Sequence, residues 1–103
     1  MYYMSMLVDA DGQALAGMTP ESVYVDVPFS KTVNASDGTS VDVTPTAPNG
    51  HSTILAASVV FTYHTHWVYA NLNQVNATWT LMLRNFFSGS AFPVTGYVRY
   101  VYA

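Results

Sequence analysis

The chain has 103 residues, the size of one domain with one core. Half of them are apolar, which excludes a disordered polymer, and no apolar run approaches the roughly 20 residues of a membrane-spanning helix. Charged residues make up 9% of the chain against about 25% in an average soluble domain, and three basic residues are too few for a nucleic-acid footprint.

That charge is unevenly spread. The six acids Asp9, Asp11, Glu21, Asp26, Asp37 and Asp42 all precede residue 43. With Lys31 they give the first 42 residues a sum of −5, while the rest carries only Arg84 and Arg99. A nearly uncharged second half is expected to face protein rather than water, because free monomers keep more surface charge for solubility. The absence of cysteine excludes disulfides and thiolate metal sites and leans toward intracellular assembly. The N-terminus lacks the basic start of a signal peptide, so synthesis in a cytosol is expected, with neither membrane nor nucleic acid as partner.

Along the chain the pattern is period-two alternation broken by turn residues, which predicts strands. Residues 2–8 form the first, and Asp9-Ala10-Asp11-Gly12 supplies turn chemistry. Residues 13–18 give a weak signal, and Thr19-Pro20-Glu21 is a second turn. Residues 22–27 alternate, with Val23, Val25 and Val27 on one face; Pro28 ends that strand or confines it to an edge. After Phe29 to Asn34, Ala35-Ser36-Asp37-Gly38 turns the chain, Val41 and Val43 share a face within 39–44, and 45–50 is a loop.

The run 52–70 would span about 60 Å as one strand, so a bulge or bend is expected in it, near Ala56-Ala57-Ser58. Its odd positions, Leu55, Val59, Phe61, Tyr63, Trp67 and Tyr69, predict an apolar face, and Thr62, His64 and His66 a polar one. Residues 71–74 are read as a turn and 75–84 as a strand with Ala77, Trp79, Leu81 and Leu83 on one side. A loop at 85–93 carries Phe86, Phe87 and Phe92, and 97–102 closes the domain with Val98, Tyr100 and Tyr102 on one face. The whole predicts a single all-β domain over 1–103, an antiparallel β-sandwich of about seven strands, immunoglobulin-like or jelly-roll-like. Its expected core includes Val25, Leu55, Val59, Phe61, Trp67, Trp79 and Leu81.

Two local motifs resemble known families. His64-Thr65-His66, placed in a strand, would put both imidazoles on one face. This is similar to the His-x-His sites of trimeric phage tail spikes and fibres, where a metal sits on the threefold axis. That resemblance implies a homotrimer with six imidazoles around a transition metal held by His64 and His66, since one chain supplies too few ligands. Leu7-Val8-Asp9-Ala10-Asp11-Gly12-Gln13-Ala14-Leu15-Ala16-Gly17 resembles the opening hairpin of immunoglobulin-like and prealbumin-like modules in phage virion and bacterial surface proteins. Those modules commonly carry a proline where Ala14 stands, and the match covers about a tenth of the chain.

Nucleophilic catalysis finds no motif: Ser88-Gly89-Ser90 lacks the framing of a nucleophile elbow, and no phosphate-cradling glycine loop occurs. Turn solvation accounts for Asp9 and Asp11 better than paired-carboxylate chemistry does. Not an enzyme, then, but a structural protein acting through protein–protein contacts is expected. The resemblances imply a bacteriophage virion component in the tail, baseplate or capsid surface, assembled in the host cytoplasm. Its expected contact residues are Phe86, Phe87, Phe92, Tyr97, Arg99, Tyr100 and Tyr102, joining copies of the chain, as a trimer, or other virion proteins. A carbohydrate-binding sandwich is the alternative, since exposed residues among the eight Tyr and two Trp could stack on sugar rings. A small hydrolase is the third reading.

Overall fold

The computed structural model describes residues 22–103. The strand expected at 2–8, the turns at 9–12 and 19–21, the weak segment 13–18 and the hairpin-like motif at 7–17 lie outside the described residues. The described chain is all-β, with six strands and no helix. They are β1 (Val23–Val33), β2 (Gly38–Asp42), β3 (Ile54–Tyr63), β4 (Val68–Val75), β5 (Thr78–Asn85) and β6 (Phe92–Tyr102).

The strands form two antiparallel three-stranded sheets, ordered β1-β6-β3 and β2-β5-β4. Between them lies a core of Phe29, Val33, Val43, Val68, Leu81, Leu83, Val94, Val98, Tyr100 and Tyr102. The alternation of β1 turns Val23, Val25 and Val27 onto this core. Pro28 sits inside β1 and not at its end, which its place as an edge strand among the described residues allows. Val41 and Val43 point inward as their alternation predicts, and so do Trp79, Leu81 and Leu83.

Three boundaries differ from the sequence reading. The run 52–70 does bulge between Ile54 and Ala56, but its main break is a turn at 64–67 that splits it into β3 and β4. No glycine, proline, asparagine or aspartate marks that turn. It closes by a Val68 N–H bond to the Thr65 carbonyl at 3.1 Å, with His64 stacked on Phe61 at 4.4 Å. The turn also resets the phase: Val59 and Phe61 face the core in β3, whereas Val68, Ala70 and Leu72 do so in β4. Trp67 and Tyr69, expected inside, are therefore 38% and 65% exposed. Second, 71–74 belongs to β4, and the chain turns at Asn76-Ala77, where Asn76 takes a left-handed φ of 54°. Third, β6 starts at Phe92 rather than 97 and runs between β1 and β3 as the central strand of its sheet. Leu55 lies at the β3 bulge and is only half-buried, outside the core cluster.

Two residues of β6 decide how it fits. Gly96 pairs with Phe29 on one side and Phe61 on the other, and those rings meet edge-to-face at 6.0 Å. A Cβ on Gly96 would fall 2.2 Å from the Val60 carbonyl oxygen and 3.0 Å from Phe61 Cα. Backbone atoms there cannot yield cheaply. Tyr100, fully buried, crosses the core and donates its hydroxyl hydrogen to the Val43 carbonyl, while Trp79 packs its ring edge-on at 5.1 Å.

Gly96→Ala should lower the unfolding free energy by about 1–3 kcal/mol or more, read from a shifted urea midpoint at unchanged slope. A loss below about 0.5 kcal/mol would show that β3 is not held against β6 as described. Burial, and then the proximity of Tyr102 and Asp42, pushes the Tyr100 phenol up to about 12. Its unfolded value is about 10, so the unfolded chain ionises first. The stabilisation is whole below pH 10 and is lost as pH rises from 10 through 12. Tyr100→Phe should cost about 1–2 kcal/mol at neutral pH by orphaning the Val43 carbonyl. It should also flatten the alkaline fall in melting temperature; an unchanged alkaline profile would contradict the assignment.

Candidate functional site

The strands gather aromatic residues at two places, while Tyr63, expected on an apolar face, stands apart at the end of β3 and is 58% exposed. The first is the outer face of β2-β5-β4. Register places Tyr69 opposite Arg84 and Asn71 opposite Met82, with Gly38 and Ser40 across the other side of β5. Their outward side chains and Phe86, just past β5, line a groove of about 540 Å³. Tyr69 meets Phe86 edge-to-face at 4.9 Å, and the Arg84 guanidinium lies 5.5 Å from the Phe86 ring. Gly38 leaves the space beside Arg84 open, since a Cβ there would only reach ordinary contact with the Arg84 side chain. Met82 and Phe86 are 48% and 54% exposed.

The second place is an aromatic row at the end of the sandwich. His66 packs on Trp67 at 4.9 Å, Trp67 on Phe87 at 5.0 Å and Phe87 on Phe92 at 5.7 Å. The loop that carries Phe86 and Phe87 is fixed from below by Asn85, a fully buried polar residue. Its amide nitrogen donates to the Val33 carbonyl at 3.2 Å and the Ser90 carbonyl at 2.8 Å, and its oxygen accepts the Phe87 N–H at 2.9 Å. The Phe87 carbonyl in turn accepts the Ser36 N–H at 3.0 Å. Nothing in the sequence pattern singles out Asn85. An asparagine at the end of an apolar strand, just before a loop, was its only signal.

The seven residues expected at a contact therefore separate. Phe86 is exposed in the groove, and Phe87 and Phe92 belong to the aromatic row. Tyr97 and Arg99 lie on the outer face of the other sheet. There Arg99 forms a bidentate pair with its cross-strand neighbour Asp26, both contacts at 2.7 Å, with its guanidinium 4.2 Å from the Tyr24 ring and 5.2 Å from that of Tyr97. This pair holds the Arg99 guanidinium well above its ordinary value. Tyr100 and Tyr102 are buried between the sheets, because even-numbered positions of β6 face inward. Their alternation was legible, but which face was the inner one was not.

His64 and His66 stand on the β3–β4 turn rather than in a strand, so period-two geometry does not align them. His64 stacks on Phe61 and His66 on Trp67. His51 lies before the opposite end of β3, about 30 Å away along the strand, with its Nδ1 bonded to the Ala103 oxygen at 2.6 Å. Among the described residues no three His, Asp or Glu side chains are grouped to hold a metal.

What the groove offers is binding chemistry: two ring faces, a thioether, one guanidinium and the amide and hydroxyl of Asn71 and Ser40. The chain matches no family model, no curated protein and no solved structure.

Asn85→Ala should cost about 2–4 kcal/mol, since it strips partners from buried backbone groups and opens a cavity. Phe87 should become more exposed, visible as a change in Trp67 fluorescence. A loss under about 1 kcal/mol with unchanged fluorescence would show that Asn85 does not fix the loop.

Proposed function

We propose that the protein is an assembly module that works through protein–protein contacts of its β2-β5-β4 sheet, as a component of a bacteriophage particle in the tail, baseplate or capsid surface. The observation that carries this reading is the band of Tyr69, Met82 and Phe86 on the outer face of that sheet, continued at the far end of β4 by Val75, 62% exposed. Large apolar side chains grouped on one face of a small domain usually mark an interface. The low charge of the second half supports the same reading, because among the described residues Arg84 is the one charged residue in the groove. Assembly on a particle, built in the host cytoplasm, accounts for a surface of this kind without a catalytic centre.

A second reading is favoured by one feature. Tyr69 and Phe86 flanked by Arg84, Asn71 and Ser40 would also suit a sugar ring, with stacking from the aromatics and hydrogen bonds from the polar groups. A glycan array separates the two readings: specific retention of a saccharide, lost in Tyr69→Ala, would replace assembly by carbohydrate binding.

On the assembly reading, sedimentation velocity at micromolar concentration should show a discrete oligomer. Phe86→Asp should weaken it about tenfold or more while leaving the far-ultraviolet dichroism unchanged. A monodisperse monomer for the native chain, indifferent to Phe86→Asp, would overturn the reading.

A further inference from the structure

Among the described residues the two sheets have four edges, and they are not equivalent. β1 carries Asp26, Pro28 and Lys31. β2 has five residues and ends in Asp42. β3 is interrupted by register shifts near both of its ends. Charge, proline, shortness and bulges are the usual devices that keep an edge from adding a foreign strand. β4, Val68-Tyr69-Ala70-Asn71-Leu72-Asn73-Gln74-Val75, has none of them: eight uncharged residues in continuous register with β5.

We propose that β4 is a self-association seam, pairing antiparallel with β4 of a second copy about a twofold axis at Leu72. This rests on the assembly reading and adds to the groove face a second contact, at the edge of the same sheet. Three observations fix the occupant and the register. First, twofold pairing brings positions near the axis against their own copies, so a charge there would meet a like charge; β4 has no charge. Second, the free ladder groups are in phase. The Trp67 carbonyl accepts the Phe86 N–H at 2.9 Å, so the odd residues of β4 direct their backbone groups toward β5. Ala70, Leu72 and Gln74 then direct theirs to the edge that no described strand pairs with. A twofold at Leu72 pairs Leu72 with Leu72 of the second copy and Ala70 with its Gln74, using these groups from both chains. Third, the same register sets Tyr69 against Val75 of the second copy, and the reverse. These are the two most exposed large apolar side chains of the described chain, 65% and 62%, and each covers the other. Asn71 then faces Asn73 of the second copy, an amide pair.

The result is a continuous six-stranded sheet with two grooves on one outer face. Closed, isologous pairing leaves no free β4 edge. It calls for an even number of copies, in place of the threefold expected from His64 and His66.

The test uses the full chain, which has no native cysteine. Asn71 and Asn73 are exposed, so substitution there spares the core. The native chain should sediment as a dimer or a multiple of one. Asn71→Lys with Asn73→Lys should raise its dissociation constant about tenfold or more, because both outer pairs become Lys–Lys. Mixing an Asn71→Cys chain with an Asn73→Cys chain under mild oxidation should give the mixed disulfide, since facing non-hydrogen-bonded residues stand about 4.5 Å apart. Neither single variant alone should cross-link efficiently. Native oligomers that persist in the double-lysine variant would overturn the seam and leave the assembly reading standing. Efficient self-cross-linking of Asn71→Cys alone would overturn the Leu72 register. A native chain that stays monomeric would overturn both seam and reading.

Discussion

The inward row of β6 sets the terms for the rest of the molecule. A sandwich of two three-stranded sheets has one fully paired strand per sheet, and in the first sheet that strand is β6. Its inward residues change size along its length. At Gly96 the row has no side chain, and Phe29 and Phe61 close over the gap from either side. At Tyr100 the row reaches across the interior to the Val43 carbonyl at the end of β2. One end of the strand thus joins its own sheet laterally and the other ties the two sheets together. The tie satisfies a buried carbonyl that would otherwise stand unpaired at a cost of about 1–3 kcal/mol. It also fixes which residues of β2 face inward, and thereby which of them, Ser40 among these, are left to line the outer groove.

Period-two alternation made much of this fold legible. Val23, Val25 and Val27, then Val41 and Val43, then Leu81 and Leu83 were assigned to common faces, and the structure places them there. The failures share one physical origin: alternation gives a phase within a strand but does not carry it across a turn. The 64–67 turn is made by a backbone bond and by ring stacking, with no residue that announces it. Without that turn, alternation places Tyr69 on the inner face, and with it the aromatic wall of the groove. At 71–74 the error was of the opposite kind. Asn71 and Asn73 are turn-formers by type, but here they sit on the outer face of β4, and Asn76 takes the left-handed conformation. Phe86 was legible as loop aromatic surface. Asn85 was not, because its role depends on three backbone partners, two of them set by loop and neighbouring-strand geometry.

The sparse charge becomes intelligible once the strands are in place. Asp26 and Arg99 neutralise each other across β1 and β6, in a pair stacked against Tyr24 and Tyr97. Pairing of this kind fixes a cross-strand register and adds little net charge to the surface. Lys31 and Asp42 fall on β1 and β2, the outer strands at one end of each sheet order. The strands at the other ends, β3 and β4, carry no charge at all. Among the described residues each sheet therefore has one edge strand that carries charge and one that carries none.

That asymmetry has a consequence for how the domain resists aggregation. Of the two bare edges, β3 retains a geometric defence, since its register shifts interrupt any long ladder a foreign strand would need. β4 keeps eight regular residues. An undefended edge of that length is a hazard for a free monomer, but not for a chain whose edge is occupied. The hazard is contained if the occupant is specific, and specificity on an uncharged strand has to come from side-chain shape and from register. Tyr69 and Val75 supply the shape near opposite ends of β4. The backbone groups of Ala70, Leu72 and Gln74 supply the register between them. A slip by one residue would bring outward side chains opposite inward ones, and a slip by two would leave Tyr69 or Val75 uncovered. The same features that make β4 dangerous when free thus restrict it to one partner geometry when paired.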